Sequence, residues 1–275
     1  MKNRKVVIPV SGGLDSVTLL HYLAKKTNFE IYPVFIQYGQ KHMYELECSM
    51  WQILKLQDEG YNVKDIHNID MEFLPELVGS ATSLINKDLD IPNVDEVNAS
   101  TERSTAYVPY RNLIFISTIM AYAEVIGAYE IYYGSISEQA YNPSWDTTEE
   151  FTEAVNSVSL LNSDRPVLVR SPFSGITKGD EVTIGKELGI DFNHTWSSYT
   201  IDWSWGLIPV ASPDNPASAD RIRGFASAGI QDPVVYHPSV DWEEEIEKYC
   251  PAGTSTPNVE LIYDRIKFKM LQYED

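Results

Sequence analysis

One stretch decides the fold of this chain: Val6-Val7-Ile8-Pro9-Val10-Ser11-Gly12-Gly13-Leu14-Asp15-Ser16. Its apolar first half predicts a buried strand, and residues 17–26 predict a helix directly after the turn. Two glycines allow a tight turn that points backbone N–H groups inward, and a helix start adds partial positive charge. Ser11 and Ser16 supply hydroxyls, while Asp15 is suited to hold a magnesium ion or to cap the helix. The stretch therefore predicts a binding site for a pyrophosphate group.

This turn resembles the signature loop of the PP-loop ATP pyrophosphatases, which join AMP to a carboxylate or amide oxygen that a nucleophile then displaces. A Walker A loop is excluded because no Gly-Lys-Ser or Gly-Lys-Thr follows the glycines, and the dinucleotide fingerprint lacks its third glycine. A purely structural Gly-Gly turn is the alternative, and the full six-residue match argues against it. The resemblance implies that six residues bind ATP: Ser11, Gly12, Gly13, Leu14, Asp15 and Ser16.

Strand and helix patterns alternate beyond this loop. Strands are predicted over residues 30–37, 62–69, 130–133 and 165–170. Helices are predicted over 43–54, 113–126 and 178–188, and the second of these is apolar nearly all round, which indicates a buried helix. The intervening residues 76–106 lack periodicity and are interpreted as a long loop over the site. This alternation predicts an α/β fold with a doubly wound, mostly parallel sheet and a ligand at the carboxyl ends of the strands.

The pattern changes near residue 236. Residues 1–235 are predicted to form one domain of the PP-loop, adenine nucleotide alpha hydrolase-like type. Residues 236–275 are predicted to form an acidic helical C-terminal extension, with helices over 242–247 and 259–273.

The composition sets limits on function. The 40 acidic and 21 basic residues give a formal charge of −19, which disfavours a nucleic-acid partner because such binding rests on Lys and Arg neutralising phosphates. Both a solubility role and an acidic face for a basic partner remain open. No apolar run approaches the roughly 20 residues that cross a bilayer, so no membrane partner is expected. Cys48 and Cys250 are the only cysteines, which excludes a disulfide framework. We expect a cytoplasmic protein.

Several further blocks, taken together, resemble the QueC family of 7-cyano-7-deazaguanine synthases over about residues 5 to 236. These enzymes use ATP to convert 7-carboxy-7-deazaguanine and ammonia into an amide and then a nitrile. Each block is weak alone, and their shared order carries the resemblance. Besides the first loop they are Gln37 to His42, Tyr107 to Asn112, Ala121 to Glu124, Gly134, Asp146 to Phe151, Lys178, Gly189, Thr195-Trp196-Ser197 and Arg223 to Ile230.

The resemblance implies roles for several of these residues. Arg111 and Lys178 are predicted to act with Asp15 in catalysis, as cations near the triphosphate or the departing pyrophosphate. Surface salt bridges are the alternative for both cations. Four residues are predicted to complete the ATP pocket: Tyr38, Gly39, Gln40 and Gly134.

The substrate side is predicted from the same blocks. Amino and ring N–H donors of the deazaguanine require a buried carboxylate, and Asp146 is predicted to read them. Trp196 is predicted to pack over the same pocket or to be plain core. His42 is interpreted either as a base or hydrogen-bond partner or as a structural residue at a helix start. Tyr110 and Asn112 complete the predicted substrate side.

The chain departs from the family pattern in two places. The four zinc-binding cysteines of the family correspond here to Ser198, Ser212, Asn215 and Ser218, which are poor zinc ligands. We therefore predict no zinc, and expect an apolar plug of residues 203–207 to stabilise this segment instead. Tyr110 stands where the family has a glycine. Both departures indicate a specialised relative, similar to QueC-like proteins of phages and antiviral defence systems.

Three functions remain open. The first is an ATP- and magnesium-dependent ligase that adenylates 7-carboxy-7-deazaguanine and couples it to ammonia, giving an amide or nitrile. The second keeps this activation but transfers the base to an amine of a partner protein. The third is an inactive module that senses a nucleotide. The family resemblance also implies a homodimer.

Overall fold

The computed structural model describes residues 3–100, 102–136, 144–254 and 257–271. The main strands are β1 (Lys5–Pro9), β2 (Glu30–Gln37), β3 (His67–Asp70), β4 (Glu130–Tyr132) and β5 (Leu168–Arg170). They form one parallel sheet in the order β3-β2-β1-β4-β5. The strand that leads into the Ser-Gly-Gly turn is thus central, where the strand order reverses direction. Ligands bind at such a switch point in open α/β sheets.

Helices connect these strands, and a two-stranded sheet follows them. The longer helices are α1 (Leu14–Lys26), α2 (Tyr44–Asp58), α5 (Arg111–Ile126), α6 (Glu149–Ser159), α7 (Lys178–Glu187), α8 (Pro216–Ser227), α9 (Trp242–Tyr249) and α10 (Val259–Leu271). Two short helices, α3 (Phe73–Val78) and α4 (Val94–Ala99), precede α5. The second sheet pairs β6 (Val210–Ala211) with β7 (Val235–Tyr236) in parallel.

The central sheet is covered on both faces. Successive side chains of a strand point to opposite faces, so Val6 and Ile8 enter one core with helices α1, α7 and α10, whereas Val7 enters another with α3 and α5. These apolar contacts on both faces explain why the strands read as nearly continuous apolar runs. The predicted doubly wound α/β fold is confirmed.

Several predicted boundaries were wrong. The third strand is confined to β3, because residue Val63 makes only an isolated bridge to Ile31 before the chain reaches the sheet. Residues 76–106 do not form one long loop. They contain the end of α3 and all of α4, whose start is fixed by a capping box between Asn93 and Glu96. Short polar helices such as α4 carry no apolar periodicity, so the sequence pattern does not reveal them.

Helix α5 is not buried all round, contrary to the prediction for residues 113–126. Among its apolar residues, Ile116, Ile119 and Ala123 are buried, whereas Val125 is 86% exposed. The helix lies on one face of the sheet, so only one stripe of its surface meets the core.

The C-terminal helices occur as predicted. Helix α10 buries Ile262, Tyr263 and Ile266 in the core that α1 and α7 share, so it packs on the main body. The domain boundary near residue 235 stays a prediction, and the predicted helix end at residue 273 lies outside the described residues. Within the described part of the chain, no helix has the length and apolar character needed to cross a membrane.

Candidate active site

The Ser-Gly-Gly turn folds around two hydroxyl groups. The Ser11 N–H donates to Ser16 Oγ at 3.1 Å, and Ser16 Oγ donates to the Gly13 carbonyl at 3.2 Å. Helix α1 then begins at Leu14 with Gly13 as N-cap and without a side-chain cap. The first N–H groups of a helix lack intrahelical acceptors, so an uncapped start is ready to bind an anion.

A second segment braces this turn. The Trp196 N–H donates to the Gly12 carbonyl at 2.8 Å, and the Leu14 N–H donates to Ser197 Oγ at 3.3 Å. The family block around Trp196 is therefore joined by hydrogen bonds to the Ser-Gly-Gly turn. We call this turn, residues 11–16, the phosphate loop. The N–H of Leu14 has only a long bond to a hydroxyl, which a phosphate oxygen is able to replace.

Both the backbone conformation and the surroundings of residue 12 require glycine. Its φ is +80°, a conformation that side chains rarely adopt, and an added Cβ would overlap the backbone carbonyl of Glu45 in the first turn of α2. Gly13 has an ordinary φ of −75°, and an added Cβ would meet Ser11 Oγ at 3.3 Å. Gly12 thus allows the loop to pack closely against α2. Gly13 leaves the side of the loop beside Ser11 Oγ free of a side chain.

Three charged side chains form a cluster beside the loop, which we call the Lys178 cluster: Asp15, Lys178 and Glu181. Lys178 is the first residue of α7, and its ammonium contacts the Asp15 carboxylate and lies 3.2 Å from Glu181 Oε2. Glu181 is fully buried, and burial and the Asp15 charge raise its pKa well above the usual range. Asp15 keeps 29% of its side chain exposed, so this carboxylate is open to a ligand or a cation.

Arg111 lies across the cleft at the start of α5. Its Nε donates to Asn112 Oδ1 at 3.3 Å, and its guanidinium lies 6.0 Å from the centre of the Tyr38 ring. Tyr38 in turn packs against Phe115 with ring centroids 5.2 Å apart. Both guanidinium contacts are to uncharged groups, and no described carboxylate forms a salt bridge with Arg111. The catalytic role of Arg111 stays a prediction, as does the alternative of a surface salt bridge.

The segment after β2 holds its shape through Gln40. The Tyr38 N–H donates to Gln40 Oε1 at 2.8 Å, so the Gln40 side chain folds back onto its own turn. Gly39 has a φ of +81°, and a Cβ there would overlap Pro75, so this glycine faces α3. The chain after β4 approaches the loop closely, because a Cβ at Gly134 would lie 3.1 Å from the Asp15 carbonyl.

Asp146 also borders the cavity, is 2% exposed, and accepts a short hydrogen bond from Ser144 Oγ. Trp196 is 2% exposed and belongs to a core cluster, yet it also borders the cleft.

His42 Nε2 lies 3.2 Å from the Ser198 carbonyl and donates to it, while burial lowers the pKa of His42. This bond leaves Nδ1 as the unprotonated nitrogen, and Nδ1 is enclosed with no hydrogen-bond partner among the described residues.

These side chains surround one cavity of about 370 Å³. Most of the predicted site residues border it: Ser11, Gly13, Leu14, Asp15, Ser16, Tyr38, Gln40, His42, Arg111, Asn112, Gly134, Asp146, Lys178 and Trp196. Gly12, Gly39 and Tyr110 do not. For the two glycines the reason is that they pack against neighbouring backbone and side chain, as described above.

Tyr110 turns away from the cavity. It adopts a left-handed conformation with a φ of +53°, its side chain is 59% exposed, and its ring meets Trp145 edge-on at 5.5 Å. Its N–H donates to the Tyr107 hydroxyl at 3.2 Å. A non-glycine residue in this region is strained unless its surroundings hold it. A direct contact of Tyr110 with substrate stays a prediction.

The positions that correspond to zinc cysteines form a polar node centred on Asn215. Asn215 Nδ2 lies 3.0 Å from Ser198 Oγ, 3.1 Å from Ser218 Oγ and 3.1 Å from the Ser212 carbonyl. The amide thus links the segments that cysteines would join through a metal. The predicted apolar plug was wrong, because Trp203, Trp205 and Leu207 are 46%, 60% and 96% exposed. In the described ranges, no group of three or more His, Cys, Asp or Glu is arranged to hold a metal.

Sequence reasoning assigned no role to three residues of this site: Glu45, Glu181 and Ser197, of which only Ser197 belonged to a quoted family block. Glu45 and Glu181 lie in helical stretches where a carboxylate is typical of the solvent face. One available signal was position, since Glu45 is in the first turn of the helix that follows β2, the neighbour of the central strand β1. Side chains at that edge of a parallel sheet border the ligand site.

An uncapped helix start at the centre of a doubly wound sheet, with a lysine and an arginine facing it, defines a nucleotide-dependent α/β enzyme. The sequence profile of the family described as "Queuosine biosynthesis protein QueC" matches residues 5–226. The chain belongs to the QueC family, and as a member it is an ATP-dependent carbon–nitrogen ligase.

Its relatives agree with this assignment. The 7-cyano-7-deazaguanine synthase of Clostridium kluyveri is 31% identical over 240 residues, which cover 85% of this chain and 98% of that protein. The 7-cyano-7-deazaguanine synthase of Oceanobacillus iheyensis is 32% identical, with 86% and 100% covered. Among solved structures, an NMN synthetase from Francisella tularensis covers 99% of this chain and 87% of its own, with 13% identity and a TM-score of 0.42, too loose a similarity to argue from.

Proposed function

We propose that the cleft binds ATP and 7-carboxy-7-deazaguanine and joins the carboxylate of the base to ammonia, giving 7-amido-7-deazaguanine or the nitrile. The observation that carries this proposal is the cavity itself, which the uncapped start of α1, the two cations and the buried Asp146 border together. The relatives that share the fold are named for the nitrile product of this chemistry.

The loop end of the cavity suits the triphosphate. Backbone N–H groups at the start of α1 donate to phosphate oxygens, and Lys178 and Arg111 supply positive charge to the departing pyrophosphate. Asp15 fits a magnesium ion, because its carboxylate is a hard oxygen ligand that is partly exposed beside the loop. Its present partner is the Lys178 ammonium, which ATP phosphates would draw away.

The opposite end suits the base. A deazaguanine carries an amino group and a ring N–H, and the carboxylate of Asp146 is an acceptor buried deeply enough to select them. Trp196 and Tyr199 border the same cavity and supply flat apolar surface.

Activation solves a chemical problem. A free carboxylate resists amines at neutral pH because its leaving group would be oxide. ATP, here a co-substrate, supplies the AMP group that turns this oxygen into a good leaving group. The residues of the loop hold the phosphates in place and stabilise the charge that develops on pyrophosphate.

The test uses 7-carboxy-7-deazaguanine labelled with ¹⁸O in its carboxylate, with Mg·ATP and ammonia. We expect one labelled oxygen in the released AMP, and a base product whose mass fits the amide or the nitrile. AMP without label would exclude adenylation of the carboxylate. Nucleotide binding without any AMP release would instead indicate a sensor module.

A matched pair of variants tests the base site. We expect Asp146→Asn to raise the KM for the carboxylated base at least tenfold and to leave the KM for ATP within about twofold. The control is Asp164→Asn, which removes an exposed carboxylate from the loop before β5. Equal losses for both substrates would contradict base recognition by Asp146.

A second acceptor, an amine on a partner protein, is favoured by an exposed apolar loop near the cavity. Trp203, Trp205, Leu207 and Ile208 are 46% to 96% exposed within six residues. The Trp203 ring meets Tyr44 edge-on at 5.5 Å, and Tyr44 meets Trp196 at 5.2 Å, so a row of rings joins this loop to the cavity. Exposed apolar patches of this kind are typical of protein contact sites.

The two acceptors are separable with Leu207→Ser. A protein acceptor predicts that this variant loses conjugation of the base to co-purified protein, detected as added mass, and keeps its ammonia reaction. Fast nitrile formation by the isolated chain, with no added mass on any protein, would remove the second candidate.

A further inference from the structure

One acidic side chain in the cavity has no role so far. Glu45 borders the cavity together with the phosphate loop and Arg111. It is partly buried, and no hydrogen bond or salt bridge to its carboxylate occurs within the described ranges of the chain. A carboxylate that is neither solvated fully nor paired is costly unless a ligand uses it.

The other acids of the cavity are all engaged. Asp15 contacts Lys178, Asp146 accepts from Ser144, and Asp220 lies 3.7 Å from Arg223. His42 is the other candidate base, but its Nε2 donates to a carbonyl, its Nδ1 is enclosed, and burial lowers the pKa of the ring. Glu45 is therefore the acid whose oxygens are left for a small molecule.

The backbone fixes where this side chain starts. The Glu45 carbonyl packs against Gly12, and Ser49 Oγ donates to both this carbonyl at 3.0 Å and the Val10 carbonyl at 3.2 Å. The first turn of α2 is thus anchored to the phosphate loop, where the acyl adenylate would form. The Glu45 side chain extends from this anchor toward the cavity.

We propose that Glu45 accepts the proton of the incoming ammonium ion and is a catalytic residue of the coupling step, an inference that rests on the proposed function. A proton passes from ammonium to the Glu45 carboxylate, and the nitrogen lone pair forms the C–N bond to the acyl carbon. The acyl C–O bond then breaks, and its electron pair leaves with AMP. The second proton lost by nitrogen passes to water, and Glu45 later returns its own proton to solvent.

The surroundings make Glu45 a stronger base than an ordinary carboxylate. Burial raises the pKa of Glu45 to about 8, and the Arg111 guanidinium opposes this shift. The other titratable groups near it are Tyr38, Cys48 and Tyr199, which are neutral at physiological pH. A general base is most effective when its pKa lies near the working pH.

The test compares two nucleophiles in Glu45→Gln. Ammonia arrives as ammonium and needs a base, whereas hydroxylamine is largely unprotonated at neutral pH and does not. We expect coupling to ammonia to fall about 10²–10³-fold, coupling to hydroxylamine to change less than about threefold, and ATP–pyrophosphate exchange to stay within about twofold. Glu47→Gln, an exposed acid on the same helical turn, is the control and should match the native chain.

Each result decides between outcomes. Equal losses with both nucleophiles, or no loss with either, would overturn the role of Glu45. If the native chain itself shows no exchange dependent on the carboxylated base, the proposed function fails instead. If Glu45→Gln does not fold, Glu45→Asp serves in its place, because its shorter side chain keeps a carboxylate but holds it farther from the cavity. This variant should lose ammonia coupling selectively but incompletely.

Discussion

Two of the ion clusters inside this protein, the Arg221 cluster and the Lys178 cluster, are built differently. In the Arg221 cluster, the Arg221 Nε and Nη2 atoms donate to both oxygens of Asp232 at 2.6 and 2.9 Å, and Tyr236 adds a hydrogen bond to Asp232 at 2.7 Å. Arg221 Nη1 also donates to Thr195 Oγ1 at 2.9 Å. In the Lys178 cluster, one ammonium serves two carboxylates, and Glu181 has no hydrogen-bond donor to either oxygen in the described residues.

The difference distinguishes an ion cluster with a structural role from one that is available to a ligand. A buried ion pair whose lone pairs and protons are all satisfied holds segments together and offers nothing to a ligand. A buried cluster with one cation and two carboxylates is electrostatically incomplete. An incoming magnesium ion would supply the missing positive charge, which favours binding of a cation together with its phosphate ligand at that point.

The largest effect is expected when the Arg221 cluster is disrupted. Asp232→Ala leaves the Arg221 guanidinium buried without its counter-charge and should lower the free energy of unfolding by about 3–5 kcal/mol. Urea unfolding measures this loss. At a temperature where the variant is folded, its KM for ATP should match that of the native chain. A loss below about 1 kcal/mol would show that the two clusters do not differ in this way.

The reverse pattern is expected for Lys178→Met. This change removes the cation that faces the phosphate loop and should lower kcat/KM for ATP about 10²–10³-fold. The free energy of unfolding should change by less than about 1 kcal/mol, because buried Glu181 can remain protonated. Lys186→Met, at an exposed position on the same helix, is the control. A large loss of stability without a kinetic effect would contradict the comparison.

The polar node offers a smaller, purely structural test. Asn215→Ala removes the amide that links Ser198, Ser218 and the Ser212 carbonyl, and it should cost about 1–3 kcal/mol of stability. Ser212→Ala removes a hydroxyl whose recorded bond is a long one, 3.4 Å from the Asp214 N–H, and should cost less than about 0.5 kcal/mol. Equal costs for the two variants, measured by thermal unfolding, would show that Asn215 is not the centre of the node.

The last expected effect is a dependence of stability on pH. The pKa of Glu45 is raised from 4.5 to about 8 in the folded chain, so folding favours the protonated form. Its contribution to stability is complete below pH 4.5 and disappears as the pH rises through 8. Glu45→Gln should therefore reduce the fall in unfolding free energy between pH 5.5 and 8.5. An unchanged slope would mean that the Glu45 carboxylate is solvated in the native chain.

Much of the fold was predictable because its signals are local. The strand–turn–helix unit around Gly12 and the apolar runs of β2 and β4 are defined by neighbours in sequence. The third strand was predicted too long because an edge strand pairs on one side only, so residues such as Val63 read as strand although they lie outside the sheet. The exposed loop at Trp203 was misjudged for a related reason, since apolar character does not say whether a partner surface exists.

The candidate site was predictable in its residues but not in its connections. Asp15 and Lys178 were assigned through the family resemblance, whereas Glu181 became visible only when α7 placed it one turn beyond Lys178. The polar node also follows from tertiary contact, because Asn215 and Ser198 lie seventeen residues apart and meet only in the folded chain.

The last helix has a consequence for how the site is held. Helix α10 touches α1 through Tyr263, whose ring lies 5.8 Å from Tyr22 and 4.4 Å from the Lys26 ammonium, and it touches α7 through Arg265, 3.6 Å from Asp180. These are the two helices whose first turns present the phosphate loop and Lys178. Helix α10 thus links the second half of α1 to the first turn of α7. We therefore expect removal of α10 to weaken ATP binding without changing any residue that is proposed to contact ATP.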